Sequence, residues 1–213
     1  RDRLVADDEL GLDREGALFA LVDVAVLRPL PYTDPERLLA LDGGNVRPGG
    51  RWMRASLANV PHYAVPALEG LTAFGPITSD LTGPGAPVTL WGLMVDASFF
   101  DVLGAPVRGR AFRPEETNEG AEGVVILAHR LWMNRFGAET SVLGEMVLLN
   151  GTPHRVVGIL PERFRAPSEI TRAGPFDFYV PLSLPQETVA NRGDDEVDVV
   201  ARLRRGATLA QAR

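Results

Sequence analysis

The chain of 213 residues has no cysteine and no lysine, and all 22 of its cations are arginine. It has only three histidines, His62, His129 and His154. Each absence removes chemistry. Without cysteine there is no thiol nucleophile, no disulfide framework and no thiolate-held zinc. Without lysine there is no Schiff base and no phosphate-binding P-loop lysine. The histidines never recur at i, i+3 or i, i+4, so no helical metal clasp is encoded. A G-x-S-x-G serine elbow is also missing. A net charge of −6 argues against general nucleic-acid binding. What remains is an ordinary folded composition, 45% hydrophobic and 23% charged. The length suits one large domain or two small ones around a real core.

The acidic excess is local. Residues 1–106 carry 14 acids and 8 arginines, whereas residues 107–213 carry 14 of each. The opening RDRLVADDELGLDRE reads as a solvated tail. Residues 16–27, GALFALVDVAVL, are apolar apart from Asp23 and read as a core or docking helix, or as the outer end of a spanning helix. Such a helix covers about 18 Å where a bilayer core needs about 30 Å, so it cannot span alone. Near the other end, 196–203 (EVDVVARL) alternates like a strand, with Val197, Val199 and Ala201 on one face. Thr208 is placed to cap a helix beginning LAQAR, which is too short to be stable by itself. The chain therefore reads as a segment of a longer protein.

Between the ends, Asp34-Pro35 signals helix entry, with Asp as cap and Pro in the first position, followed by a strand at 37–41. The glycine-rich 42–50 has no phosphate-cradle pattern. A helical patch is expected at 60–71, a strand at 74–80, a turn at 82–87 (TGPGAP) and a strand at 87–95. Residues 96–104 predict a short helix capped by Asp96 or Ser98 and stopped by Gly104. An acidic loop follows at 113–123, then a buried strand at 124–128 and an amphipathic helix at 129–136 ended by Gly137. Strands at 145–149 and 153–160 form a hairpin around Asn150-Gly151, where both residues tolerate positive φ. A last strand is expected at 176–181. Short strands mixed with short helices predict an α+β fold.

Trp91, Trp132, Phe99, Phe100 and Phe136 all suit a core. Trp52, in a loop between Arg51 and Arg54, is harder to place and makes these three residues the candidate partner contact. The acidic run Asp194, Asp195, Glu196 and Asp198 lacks the ligand spacing of a calcium loop and reads as a solvated turn. Asn150-Gly151-Thr152 matches a glycosylation sequon, but turn chemistry accounts for it. No residue is assigned a catalytic, cofactor-binding or metal-binding role.

Five blocks in order resemble one family. They are VLRPLPYTDPERLLAL (26–41), SFFDVLGAPVRGRAF (98–112), VVILAHRLWMNRFG (124–137), VLGEMVLLNGTPHRVVGILPERF (142–164) and VARLRRGATLAQAR (200–213). Together they resemble the MacB-like periplasmic core domain of ABC transporter permeases of the MacB/FtsX type. The resemblance implies an α+β, two-lobed domain. Residues 28–85 and 194–213 would build a porter-like α/β sandwich lobe, the second part truncated. Residues 86–193 would form an inserted, mostly β, sabre-like lobe. Residues 1–27 would be a tail and the remnant of a first membrane helix.

The implied function is non-enzymatic: a periplasmic domain on the bacterial inner membrane that transmits ATP-driven conformational change to export or partner engagement. No cofactor is implied in this chain, because ATP would be used by a separate nucleotide-binding subunit or domain. The implied partners are the permease's own membrane helices, an ABC ATPase, a periplasmic adaptor or substrate protein, and a second permease copy, but no nucleic acid. Hinges would lie at 82–87 and 174–175. Two other readings stand beside this one. A secreted or periplasmic ligand-binding module with no transport role would present a groove of exposed aromatics. An enzyme, for example a hydrolase using His129 or the scattered carboxylates, would have a deep pocket where at least one His meets an acid within hydrogen-bond reach.

Overall fold

A computed structural model describes residues 19–21, 32–43, 66–83, 86–167, 175–183, 197–208 and 211. The strands are β1 (Phe19–Leu21), β2 (Leu38–Gly43), β3 (Leu68–Thr82), β4 (Val88–Val95), β5 (Arg108–Gly109), β6 (Val124–Leu127), β7 (Met146–Leu149), β8 (Thr152–Ile159), β9 (Phe178–Pro181) and β10 (Asp198–Leu203). Two helices, α1 (Phe99–Leu103) and α2 (His129–Phe136), lie among them. The strands form one mixed sheet in the order β1-β2-β10-β3-β4-β9-β6-β8-β5. Among the described residues only β4–β9 and β6–β8 pair in parallel.

The strand β7 makes the sheet more than a row. It pairs with β8 along one edge and with the end of β3 along the other, Leu81 opposite Leu149. The pairings β3–β4–β9–β6–β8–β7–β3 therefore close a ring of six strands. The Asn150-Gly151 turn fastens this closure. Both residues have positive φ, 51° and 75°, as the hairpin requires. The Asn150 side chain accepts from the Asp80 amide at 2.8 Å and donates to Ser79 Oγ at 3.2 Å. Its own amide donates to the Asp80 carbonyl. The sequon asparagine is thus a structural clasp.

The ring wall has a core on each side, which is why its strands read as apolar runs rather than clean alternation. On β6, Val125 and Leu127 face one cluster and Val124 and Ile126 the other. On β9, Phe178 and Val180 join the cluster with Leu81, Leu90, Val147 and Val156, while Tyr179 joins the opposite one. That second cluster is aromatic. Phe99 and Phe100 meet edge-on at 5.2 Å, and Phe100 and Phe164 each meet Tyr179 at 5.7 Å. Such pairs add roughly 0.5–1.5 kcal/mol each beyond burial.

The long strand β3 links both parts. Its first half pairs with β10, from Leu68 opposite Leu203 to Phe74 opposite Asp198, and its second half enters the ring. The strand β10 lies between β2 and β3, antiparallel to both.

Several expectations need correction. Residues 19–21 are a strand on β2, not helix; the rest of 16–27 lies outside the described residues. Residues 68–71 are strand because β10 supplies a ladder partner 130 residues away, which local propensity cannot register; 60–65 lie outside the described residues. Asp34 does not cap with its side chain. It is left-handed, with φ 47°, and starts only a 3-10 turn at Pro35–Arg37. The acidic loop contains a second such turn, Pro114–Thr117. On β10 both faces are buried, not one. Trp91 is not core but 55% exposed. The hairpin, α1 with Gly104 as its stop, α2 with Gly137, and the strands at 88–95, 124–127 and 178–181 fall where the sequence places them.

Gly92 gives a test of the ring interior. A Cβ there would lie 2.4 Å from Phe178 Cζ, and Phe178 is fully buried. Gly92→Ala should cost about 1–3 kcal/mol in urea unfolding. Shrinking the ring in Gly92→Ala/Phe178→Leu should recover part of that loss in a double-mutant cycle.

Candidate functional site

The segments that flank the described domain in sequence, 32–37 and 202–205, meet at one place, and arginine holds them there. Arg202 points from β10 toward α1, where its residue is only 5% exposed. Its Nε donates to the Val102 carbonyl at 2.5 Å, and Nη1 donates to the carbonyls of Thr33 at 2.9 Å and Asp34 at 3.4 Å. It thus satisfies a carbonyl at the C-terminal end of a five-residue helix, where a cation is favoured, and pins the incoming segment to it. Nη2 is buried without a hydrogen-bond partner. No carboxylate among the described residues makes an ion pair with Arg202. Burial, and then the positive charge of Arg37, lower its pKa; Glu69, Asp34 and Glu36 act in the opposite sense.

Arg37 completes the clamp. Its Nε and Nη2 donate to the Leu203 carbonyl at 2.9 and 2.6 Å, and Nη1 pairs with Asp34 at 3.1 Å. Nη2 also pairs with Glu69. A bulge aims Glu69 there: opposite Arg202 and Leu203, β3 supplies Gly70 and Leu68, leaving Glu69 as the extra residue. Arg204 Nε donates to the Pro66 carbonyl at 2.8 Å, and Arg205 reaches Asp34 at 3.4 Å. Gly104 allows the close approach: its φ is +64°, and a Cβ would lie 2.8 Å from Thr33 Cβ. Tyr32 carries the contact onward. Its hydroxyl donates to the Arg165 carbonyl, and its ring meets Phe164 edge-on at 6.0 Å.

A second ion pair stiffens the acidic loop. Arg110 holds Glu116 through both nitrogens, at 3.0 and 2.6 Å, and the Arg113 amide donates to the same carboxylate at 2.8 Å. Burial alone would raise the Glu116 pKa. The hydrogen bonds from Arg110 and Arg113 and the charges of those two arginines outweigh it, so the pKa is lowered. The Arg110 pKa is raised, first by the Glu116 hydrogen bond.

Of the sequence candidates, Arg51, Trp52 and Arg54 lie outside the described residues, as do His62 and the acids 194–196. His129 opens α2 and packs edge-on against Trp132 at 5.5 Å. His154 lies near the start of β8, its Nδ1 2.9 Å from the Thr152 carbonyl. Because β6 and β8 run in parallel, these two histidines sit at opposite ends of the pair. Among the described residues no group of three His, Asp or Glu converges as a metal site. The clamp itself was missed by sequence reasoning. Its one signal is Arg202, a charge inside the apolar run VDVVARL.

The architecture is a mixed α/β domain, mostly strands in one sheet, with the segments 32–37 and 202–205 tied together. The chain belongs to the MacB-like periplasmic core domain family, whose model matches residues 18–213. It is thereby the extracytoplasmic domain of an ABC transporter permease, and a membrane part and an ATPase partner follow from that membership. The fold is similar to the periplasmic region of MacB from Actinobacillus actinomycetemcomitans, with TM-score 0.62 and 16% identity over 83% of this chain and 78% of that one. It is also similar to the extracellular domain of the ABC-type transporter YknZ from Gram-positive bacteria, with TM-score 0.53 and 17% identity over 73% and 76%. None of the curated proteins compared matches the chain.

Arg202→Met leaves the Val102 and Thr33 carbonyls without their donor and should cost about 2–4 kcal/mol of stability by chemical denaturation. An unchanged midpoint would mean the clamp contributes nothing. The lowered pKa of Glu116 gives stability that is present above its unfolded-state value and is lost as pH falls through the lower folded value. Thermal melts taken downward from about pH 5 should therefore fall less steeply for Glu116→Gln than for the parent chain.

Proposed function

We propose that this domain transmits ATP-driven motion from the bacterial inner membrane to its periplasmic face, for export or for engagement of a partner. The clamp is the observation that carries this reading. It ties 32–37, 66–70, the end of α1 and 202–205 into one unit. A displacement of either flanking segment is thereby delivered to β3, which runs unbroken for 15 residues, about 50 Å, into the closed ring.

In this reading β1, β2, β10, α1 and the first half of β3 form the porter-like lobe, and the ring forms the inserted sabre-like lobe. This division departs from the boundaries 28–85, 86–193 and 194–213 in that β1 and α1 join the porter-like lobe and the second half of β3 joins the ring. Pairing with β10 stops at Phe74, immediately before Gly75-Pro76, so β3 itself carries the seam between lobes. The membrane helices and ATPase would supply the motion, a second permease copy would complete the transporter, and a periplasmic adaptor or substrate protein would receive it.

The test uses the full permease with its ATPase. Arg202→Lys keeps a charge but lacks the fork that reaches three carbonyls, and Tyr32→Phe breaks the link to Arg165. Each should leave ATP hydrolysis in place and lower substrate transported per ATP by about two- to thirtyfold. Normal transport per ATP in both variants, with their melting temperatures unchanged, would sink the proposal.

A further inference from the structure

We infer that the cleft between the start of α2 and the turn at 160–165 is a docking site for an acidic segment of a partner protein carrying apolar anchors. Two adjoining hollows of about 440 and 390 Å³ lie there, and both are bordered by His129, Leu160, Pro161 and Glu162. The first is floored by Trp132 and Ile159, the second by Phe164, Phe176 and Tyr179. Met133, 45% exposed, stands at the edge of the second. Two adjoining hollows that share the Leu160-Pro161 border suit two apolar side chains of one peptide.

Charge selects the partner. Arg108, Arg130 and Arg165 surround the hollows, against the single lining carboxylate of Glu162. Arg130 has a counter-ion in Asp177, at 2.6 Å. Arg108 has instead an aromatic ring: its guanidinium lies 5.5 Å from the centre of Trp132, and among the described residues no carboxylate pairs with it. A basic, aromatic face is complementary to an acidic segment carrying apolar side chains. Arginine, tryptophan and methionine are also the side chains enriched at protein interfaces.

The cleft continues into the clamp. Phe164 and Arg165 line it, and they are the residues that Tyr32 touches, one position before Thr33 on Arg202. An occupant would therefore press on the same segment that the membrane side moves. This consequence rests on the transmission reading above; the docking itself does not.

The four methionines, Met53, Met94, Met133 and Met146, allow a direct test by methyl-labelled methionine NMR on the whole chain. The probes are a synthetic peptide with glutamates around two leucines, its glutamine counterpart, and phosphatidylglycerol vesicles. The acidic peptide should shift the Met133 methyl and leave Met94 and Met146 in place. The glutamine peptide, or Arg108→Gln in the protein, should weaken binding about tenfold, and added salt should weaken it further. The inference is overturned if Met133 does not respond, if Met146 responds instead, if the glutamine peptide binds equally, or if the vesicles bind better than the peptide. Docking with normal transport in the Arg202→Lys permease would remove the transmission reading alone. Failed docking with an uncoupled Arg202→Lys permease would remove only the docking site.

Discussion

Burying the Arg202 guanidinium costs free energy that hydrogen bonds must offset, and the layout of the domain follows from how they do it. Lysine could not take its place, because only the planar fork reaches carbonyls on two separate segments at once. The helix it touches has five residues and would not persist in isolation. The segment it grips is a left-handed residue followed by a single 3-10 turn. Neither holds its position by local preference. Each is kept in place by an arginine on a strand that comes far later in the chain. Burial and the neighbouring Arg37 both oppose the charge, and one nitrogen remains without a partner. The junction is therefore fastened by hydrogen bonds to main-chain carbonyls against the cost of burying the charge.

Local chemistry was legible in the sequence, and the clamp was not. The Asn150-Gly151 turn, the Gly104 and Gly137 helix stops and the VVIL strand each rest on residues within a few positions of one another. The strand at 68–71, the second buried face of β10 and the closure of the ring by β7 each depend on a partner far away in the chain. The clamp is hidden for a further reason. The acceptors of Arg202 are main-chain carbonyls, which every residue has, so no complementary side chain marks the other half of that interaction. The family resemblance named the type of domain correctly without revealing any of these contacts.

The doubly covered ring wall also explains which aromatic was misjudged. Where β4 has core on both sides, Leu93 and Val95 are fully buried. Two residues earlier the outer cover ends, and Trp91, on the same face of the strand, stands in solvent opposite Thr78. Strand alternation assigns a residue to a face. It does not say how far along the strand that face stays covered.

The position of β10 between β2 and β3 bears on how the protein is made. A ribosome delivers β2 and β3 long before β10, so the young sheet waits with a slot one strand wide and two bare edges. Two unpaired edges are what aggregation and quality control both respond to, so a chain halted before residue 198 advertises its own incompleteness. Until β10 is made, the facing edges of β2 and β3 have no strand through which to pair with each other.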